Sequence, residues 1–379
     1  MSRWKLGLVT LVLAAIATSV WATHRALKKG RRERPQLSSF SRSVRARLNR
    51  LPIDSGSPER ARRAAPREYL DVEAHTLDEQ REALLVNLRR ELELADSATE
   101  RVRRIFEHSQ WISQGNPEAT KHPMTRAQCR QIRAQAGPEP QTSPRCGAPN
   151  MAPLFDPTRG QTEADSRVCI DRFEFPDIPC EYPLVWVRAN EAAELCEAVG
   201  KRICDAHEWE GACAGALRDP DREYAWGERR LQMEYLHNLD REVIWSYGPA
   251  KDHSLCATSS HKDPECTEMG WKGCGTNTYP SGAFPRCVSP FGVYDLHGNV
   301  AEHMNLPRVP AELASRGGSG ETEMKGSWFI FSTYEAHPDD CRWRARSWHT
   351  TRLRDPESHR NYHLGFRCCK DIAPGVENR

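Results

Sequence analysis

Fourteen cysteines stand in this chain of 379 residues, and every one lies at or beyond Cys129. An even number gathered in one region reads as a disulfide framework, which places that region in an oxidising compartment. No CxxC pair occurs, so zinc-ribbon spacing is absent. Buried free thiols in a cytosolic enzyme are the alternative, and the N-terminus argues against them. Arg3 and Lys5 precede an apolar run, Leu6 to Ala22, whose only polar members are Thr10, Thr18 and Ser19. Residues 1–30 therefore read as a signal peptide, with Val20-Trp21-Ala22 as its cleavage site, or as a membrane anchor at the short limit for spanning a bilayer. The basic flank Arg25, Lys28, Lys29, Arg31, Arg32 and Arg34 would keep the downstream chain in the cytoplasm. The cysteines demand the opposite. We expect an extracytoplasmic protein, periplasmic or secreted, tethered to the membrane if the segment is uncleaved.

The net charge of +2 hides an asymmetry: residues 1–70 carry +12 and the remainder −10. The folded part is acidic, which argues against a nucleic-acid partner. Residues 31–70, rich in Arg, Ser and Pro, read as a basic disordered linker. Residues 71–136 read as a helical region. Thr76 and Glu79 have the form of a capping box, and Leu77, Leu84, Leu88, Leu92, Val102 and Phe106 recur at helical spacing. A break near Ala95–Thr99 and an end at Gly115 are expected. The apolar stripe must pack on the main domain or on a second copy, most simply as a structural stalk. A shorter helix is expected over Thr125–Ala136, then loop over 137–165.

The main domain begins near Arg167. Strands are expected over 168–174 and 184–187. A helix capped by Asn190 and ended by Gly200 comes next, then another opened by the capping box of Asp205 and Glu208. Beyond residue 215 helical periodicity fades and turn residues dominate. Within Pro290–Asn305, Asp295, Gly298, Asn299 and Glu302 crowd together; carboxylates and carbonyls on so tight a loop suit a hard cation. A solvated polar turn is the plainer reading.

Four blocks recur in order: CIDRFEF at 169–175, GKRICDAHEWEGAC at 200–213, FGVYDLHGNVAEH at 291–303, and GSW at 326–328 with GFRC at 365–368. AWG at 225–227 and PSGAFP at 280–285 fall between them. Over residues 165–372 the chain resembles the sulfatase-modifying-factor family, typified by the formylglycine-generating enzyme. The resemblance implies an α+β, loop-rich, C-type-lectin-like fold. It implies structural calcium, held by the side chains of Asp295 and Glu302 and the carbonyls of Gly298 and Val300. A second calcium site would begin at the Asn238 side chain and the Leu239 carbonyl, with its remaining ligands near Met269 to Trp271. It also implies that Cys196 pairs with Cys368 and Cys213 with Cys341; Cys204 and Cys369, extra and close to these in sequence, would pair with each other.

The family's oxidases use oxygen to oxidise a sulfatase cysteine, and hold copper with two active-site cysteines. The corresponding positions here are Ile330 and one near Glu335, and no cysteine occurs between residues 288 and 340. Copper-dependent formylglycine formation is therefore not expected. Related sulfoxide-forming enzymes use iron held by histidines. His337, His349, His359 and His363, with Asp339, Asp340 or Glu357, are the candidates for iron or another redox metal, against the alternative of exposed loop histidines. Trp328, Arg344, Arg346 and Trp348 would line a substrate groove, with Trp343 on the opposite face; for the arginines, structural ion-pair partners are an equal alternative. Two functions stand as expectations. One is an exported family member that modifies or matures an envelope or secreted protein by other chemistry. The other is a non-catalytic, membrane-tethered module that binds a peptide or glycan. A thiol–disulfide role for Cys368-Cys369 is the weakest.

Overall fold

A computed structural model of the chain describes residues 73–138, 142–266, 270–318, 320–345 and 351–372. The N-terminal apolar run and the basic linker lie outside the described residues. No described helix is long and apolar enough to cross a membrane.

The helical region is two helices, α1 (Leu77–Glu91) and α2 (Asp96–His108). Thr76 caps α1 by accepting from the Glu79 N–H at 3.2 Å, while the Glu79 carboxylate reaches back to the His75 N–H at 3.0 Å. The break falls at residues 92–95, where Glu93 takes a positive φ. The pair is not a stalk. Leu84, Leu85, Leu88, Val102 and Phe106 are buried in one cluster with Phe175, Leu184, Leu195 and Phe366 of the main domain. Helix α3 (Arg126–Ala136) is capped by Thr125 with Gln128 completing the box. Buried Glu181 ties α1, the loop after α2 and α3 to the domain: it accepts from Asn87 Nδ2 at 2.8 Å, Gln114 Nε2 at 2.8 Å and Arg126 Nε at 2.6 Å.

The rest of the chain builds two small sheets. In the first, β1 (Met151–Leu154), β2 (Val168–Asp171), β7 (Cys368–Asp371) and β3 (Arg202–Ile203) lie in the order β1-β2-β7-β3, all antiparallel. In the second, β4 (Ala301–Leu306) is central, antiparallel to β5 (Glu321–Lys325) and parallel to β6 (Leu364–Phe366). Only Arg367 separates β6 from β7, so one short segment joins both sheets. The expected strand over 184–187 is an extended stretch with a single bridge, Val185 to Ser113, instead of a ladder.

Helix α4 (Ala189–Ala198) starts one residue before the expected cap: the Arg188 N–H donates to Glu191 Oε2 at 2.8 Å, and Ser358, distant in sequence, accepts from the Ala189 N–H at 3.1 Å. Helix α5 (Ala206–Ala214) opens with Asp205, whose N–H donates to Glu208 Oε2 at 2.8 Å. Beyond residue 215, sequence periodicity misses α6 (Pro220–Glu223) and α7 (Arg230–Asp240). The reason is an inverted face. Arg230 and Glu234 of α7 are buried, while Leu231 is 62% and Leu239 71% exposed.

Candidate functional site

The turn after the Val288–Tyr294 bridge delivers the side chains expected to meet a cation. Asp295, Gly298 and Asn299 all have positive φ. At Gly298 a Cβ would meet the Ala257 carbonyl oxygen at 2.6 Å, so only glycine fits where the Asn299 N–H donates to that same oxygen at 2.7 Å. The Gly298 N–H donates to Ser327 Oγ at 2.9 Å, and the Val300 N–H to Glu174 Oε1 at 3.2 Å. The N–H groups of both expected carbonyl ligands are thus taken up by the fold.

Three carboxylates meet here without contact with solvent: Glu174 is 0% exposed, Asp295 1% and Glu302 1%. Glu302 is not an open ligand. Its oxygens accept from Arg367 Nε and Nη2 at 2.7 and 2.6 Å and from the Trp209 indole at 3.0 Å. Sequence reasoning misses Glu174 as a site residue: in CIDRFEF it sits between two phenylalanines and reads as a strand residue. It accepts from Ser281 Oγ at 2.6 Å and Asn299 Nδ2 at 2.7 Å. Burial, then the charges of Asp295 and Glu302, push its carboxyl well above the usual range. Burial likewise lifts Asp295 to about 6, against the opposing pull of the Gly282 N–H and Arg367. Asp295 Oδ1 is buried with no hydrogen-bond partner. Three carboxylates, opposed by Arg367 and, at Asp295, by Arg133, with one Asp295 oxygen orphaned, fit a divalent cation of the oxygen-liganded kind.

Among the described residues the second expected site does not assemble around Asn238. The Asn238 amide is spent on the Arg344 backbone, accepting from its N–H and donating to its carbonyl, each at 2.9 Å. Leu239 projects outward at the end of α7, and the Trp271 carbonyl accepts from Asn116 at 2.9 Å. Met269 lies outside the described residues.

Nor is Arg344 a groove residue. It is 0% exposed, donates to Glu210 at 2.9 and 3.1 Å and lies over the Tyr224 ring, in a buried ion network with Lys325 and Glu323. The ion-pair alternative describes it. Arg346, Trp348 and His349 fall outside the described residues. Trp328 is nearly buried, 6% exposed, and stacks on His363 at 4.7 Å. His337 is buried and stacks on Trp343 at 4.5 Å, so it is not an exposed loop histidine. Ile330 packs in an apolar cluster with Trp186, Val300, Phe329, Phe331 and Tyr362, and Glu335 is an exposed partner of Lys251. Beneath this cluster Asp339 accepts from Ser327 Oγ at 3.0 Å, His253 Nε2 at 3.1 Å and the Trp245 indole at 3.2 Å. Burial opposes its charge, but the two nearby imidazoles, His253 and His297, hold the carboxyl far below its usual range. Asp339 is a candidate from the sequence, but its partners here are His253, Ser327 and Trp245 and not the histidines expected with it.

All fourteen cysteines are bridged. Cys196 joins Cys368, Cys204 joins Cys369 and Cys213 joins Cys341; the remaining bridges are Cys129–Cys180, Cys146–Cys169, Cys256–Cys287 and Cys266–Cys274. Cys368 and Cys369 each hold a different helix-side partner, which removes the thiol–disulfide role for the adjacent pair.

A family profile described as a sulfatase-modifying factor enzyme 1-like domain matches residues 118–372. The chain belongs to the sulfatase-modifying factor family. The match takes in α3 and the loop before β1 as well as the motif blocks. The sulfatase-modifying factor domain is 28% identical over 207 residues to the formylglycine-generating enzyme of Mus musculus, covering 52% of this chain and 46% of that protein. It is 28% identical over 198 residues to the inactive C-alpha-formylglycine-generating enzyme 2 of Mus musculus, covering 52% of each. The chain thus spans about half the length of the curated relatives it matches.

Proposed function

We propose that this sulfatase-modifying factor domain is a non-catalytic, calcium-stabilised binding module of C-type-lectin-like fold that holds a peptide or glycan outside the cytoplasm. One observation carries the reading: where the family's oxidases place their first reactive cysteine, Ile330 is packed among aromatic rings, and no cysteine of the chain is free to supply a thiolate. Soft thiolates are what Cu(I) requires. The similarity to a relative named as inactive supports the same reading. When bound, a calcium ion would neutralise the excess charge of Glu174 and Asp295; the chain's own part is to hold those carboxylates dry and fixed. Seven bridges support an oxidising compartment.

The test is direct. The native protein, loaded with Cu(I) and given a cysteine-containing sulfatase peptide in air, yields no aldehyde by mass spectrometry, and thiol titration finds none. Metal analysis finds calcium without stoichiometric iron or copper. Aldehyde formation, or stoichiometric redox metal, overturns the reading. The second result would favour an enzyme that modifies an envelope or secreted protein, with His337 and His363 beside Trp328 as the residues to examine first.

A further inference from the structure

Helix α7 presents to solvent the kind of face that a helix ordinarily buries. Leu231 and Leu239 are largely exposed, Tyr235 is 60% exposed, and Leu236 and Val243 are exposed beside them. Among the described residues only Val309 and Tyr334 are otherwise large, apolar and exposed, so the apolar exposure is concentrated here. Leu231, Tyr235 and Leu239 recur at i, i+4 and i+8, which makes one stripe along the helix. The opposite face is pinned. Arg230 donates to the Thr322 carbonyl at 2.6 Å, His237 Nε2 donates to the Arg342 carbonyl at 2.8 Å, and Asn238 holds the Arg344 backbone. The helix therefore cannot roll its leucines inward without stripping buried charges of their partners. An exposed apolar patch on the order of a few hundred Å² marks an interaction site.

The geometry points to a second copy of this chain as the occupant, its α7 packed antiparallel on this one about a two-fold axis at Tyr235. The inference goes beyond the binding-module reading and does not rest on it. A two-fold interface must be self-complementary, and this face is. With the axis at Tyr235, each Leu231 meets the Leu239 of the other copy, and the two tyrosines meet each other. The charges agree. Arg229 at the N-cap and Asp240 in the last turn are exposed, flank the stripe on the side of Leu236, and have no ion pair among the described residues. An antiparallel two-fold sets each Arg229 against the Asp240 of the other copy, two ion pairs that the monomer leaves unmade; a parallel pairing makes neither. It also brings each helix N-terminus to the other's C-terminus, where the partial charges are opposite. A membrane surface fits less well. The rim residues Glu228, Arg229, Asp240 and Glu242 carry both signs with acid in excess, whereas interfacial helices have a basic rim. The patch is smaller than the roughly 800 Å² per partner of a standard interface, so the dimer is a weak one that assembles with concentration.

The full chain is followed by sedimentation velocity over a concentration series, and p-benzoylphenylalanine is placed at Tyr235 for photocrosslinking. A monomer–dimer equilibrium is expected, with the crosslink joining the α7 segments of two copies. Arg229→Asp and Asp240→Arg, both at exposed positions, should each raise the dimer Kd at least about tenfold, and the combined Arg229→Asp/Asp240→Arg should recover most of that loss. Leu239→Glu should abolish association and leave the far-ultraviolet circular dichroism unchanged. A chain that stays monomeric up to about 100 μM overturns the pairing, as does a dimer indifferent to these variants or an additive loss in the combined one. So does a crosslink from position 235 to the chain's own N-terminal segment, or binding to anionic vesicles that Leu239→Glu removes.

Discussion

At Arg367 a fully buried guanidinium donates to both oxygens of Glu302 and to the carbonyls of Asp171 and Tyr294. Burial would lower its pKa, and Glu302 holds it above the usual value instead. Arg367→Met would strand Glu302 beside two other carboxylates, at a cost of about 3–5 kcal/mol. Urea unfolding measures it, and adding Glu302→Gln should recover part of the loss. With His122 and His237, whose pKa values burial also lowers, His207 is one contributor to the pH dependence. It is buried against the Tyr224 hydroxyl at 3.0 Å, and burial pushes its pKa down from 6.5 to about 4, against the pull of Glu208 and Glu210. The folded pKa lies below the unfolded one, so its contribution is present above pH 6.5 and is lost as pH falls toward 4. Asp205, raised to about 7 by burial, works the other way. The measurement is therefore comparative: between pH 6.5 and 4 the unfolding free energy of the parent should drop relative to that of His207→Gln. At this scale Gly298 and Asp295 were legible because a tight turn needs those residue types. Glu174 was not, since a buried acid between apolar neighbours looks the same as a surface one; Asp339 is a candidate iron ligand from the sequence, but its partners His253 and Ser327 are not.

Among the elements, the α1–α2 hairpin depends on the domain for its stability. Leu88 is 0% exposed in the cluster it shares with Phe175 and Phe366. Leu88→Ala should cost about 2–5 kcal/mol by cavity formation, read as a lowered denaturation midpoint with an unchanged slope. An unchanged midpoint would mean the hairpin is not part of the cooperative unit. Helices α1 and α5 could be read in advance because a local cap and a local stripe agree. Helix α7 could not. Arg230 donates to the Thr322 carbonyl at 2.6 Å and faces Glu323, so its inner face is charged and periodicity of apolar residues says nothing of it.

For the whole molecule, three bridges enclose most of the fold: Cys196–Cys368, Cys204–Cys369 and Cys213–Cys341 span 172, 165 and 128 residues. Loops of that length give about 4–5 kcal/mol each in the chain-entropy model, before strain. Because Cys196–Cys368 already closes nearly the same loop, the double variant Cys204→Ser/Cys369→Ser should lose about 2–3 kcal/mol of unfolding free energy in non-reducing buffer. Full reduction should abolish the cooperative transition. A protein that melts unchanged in strong reductant would contradict a bridge-dependent fold.

The order of the motif blocks, the cysteine count and the missing thiolate pair are properties of the chain as a string, and they determined the family, the oxidised state and what chemistry to reject. Which charges face one another was decided only in three dimensions. Arg344 turned inward to Glu210 rather than outward to a groove, Asn238 bound a backbone rather than an ion, and Trp111 met Trp271 across 160 residues of chain. Local propensity has no access to such pairings, because a buried charge is tolerated only where a partner from elsewhere in the chain arrives to meet it.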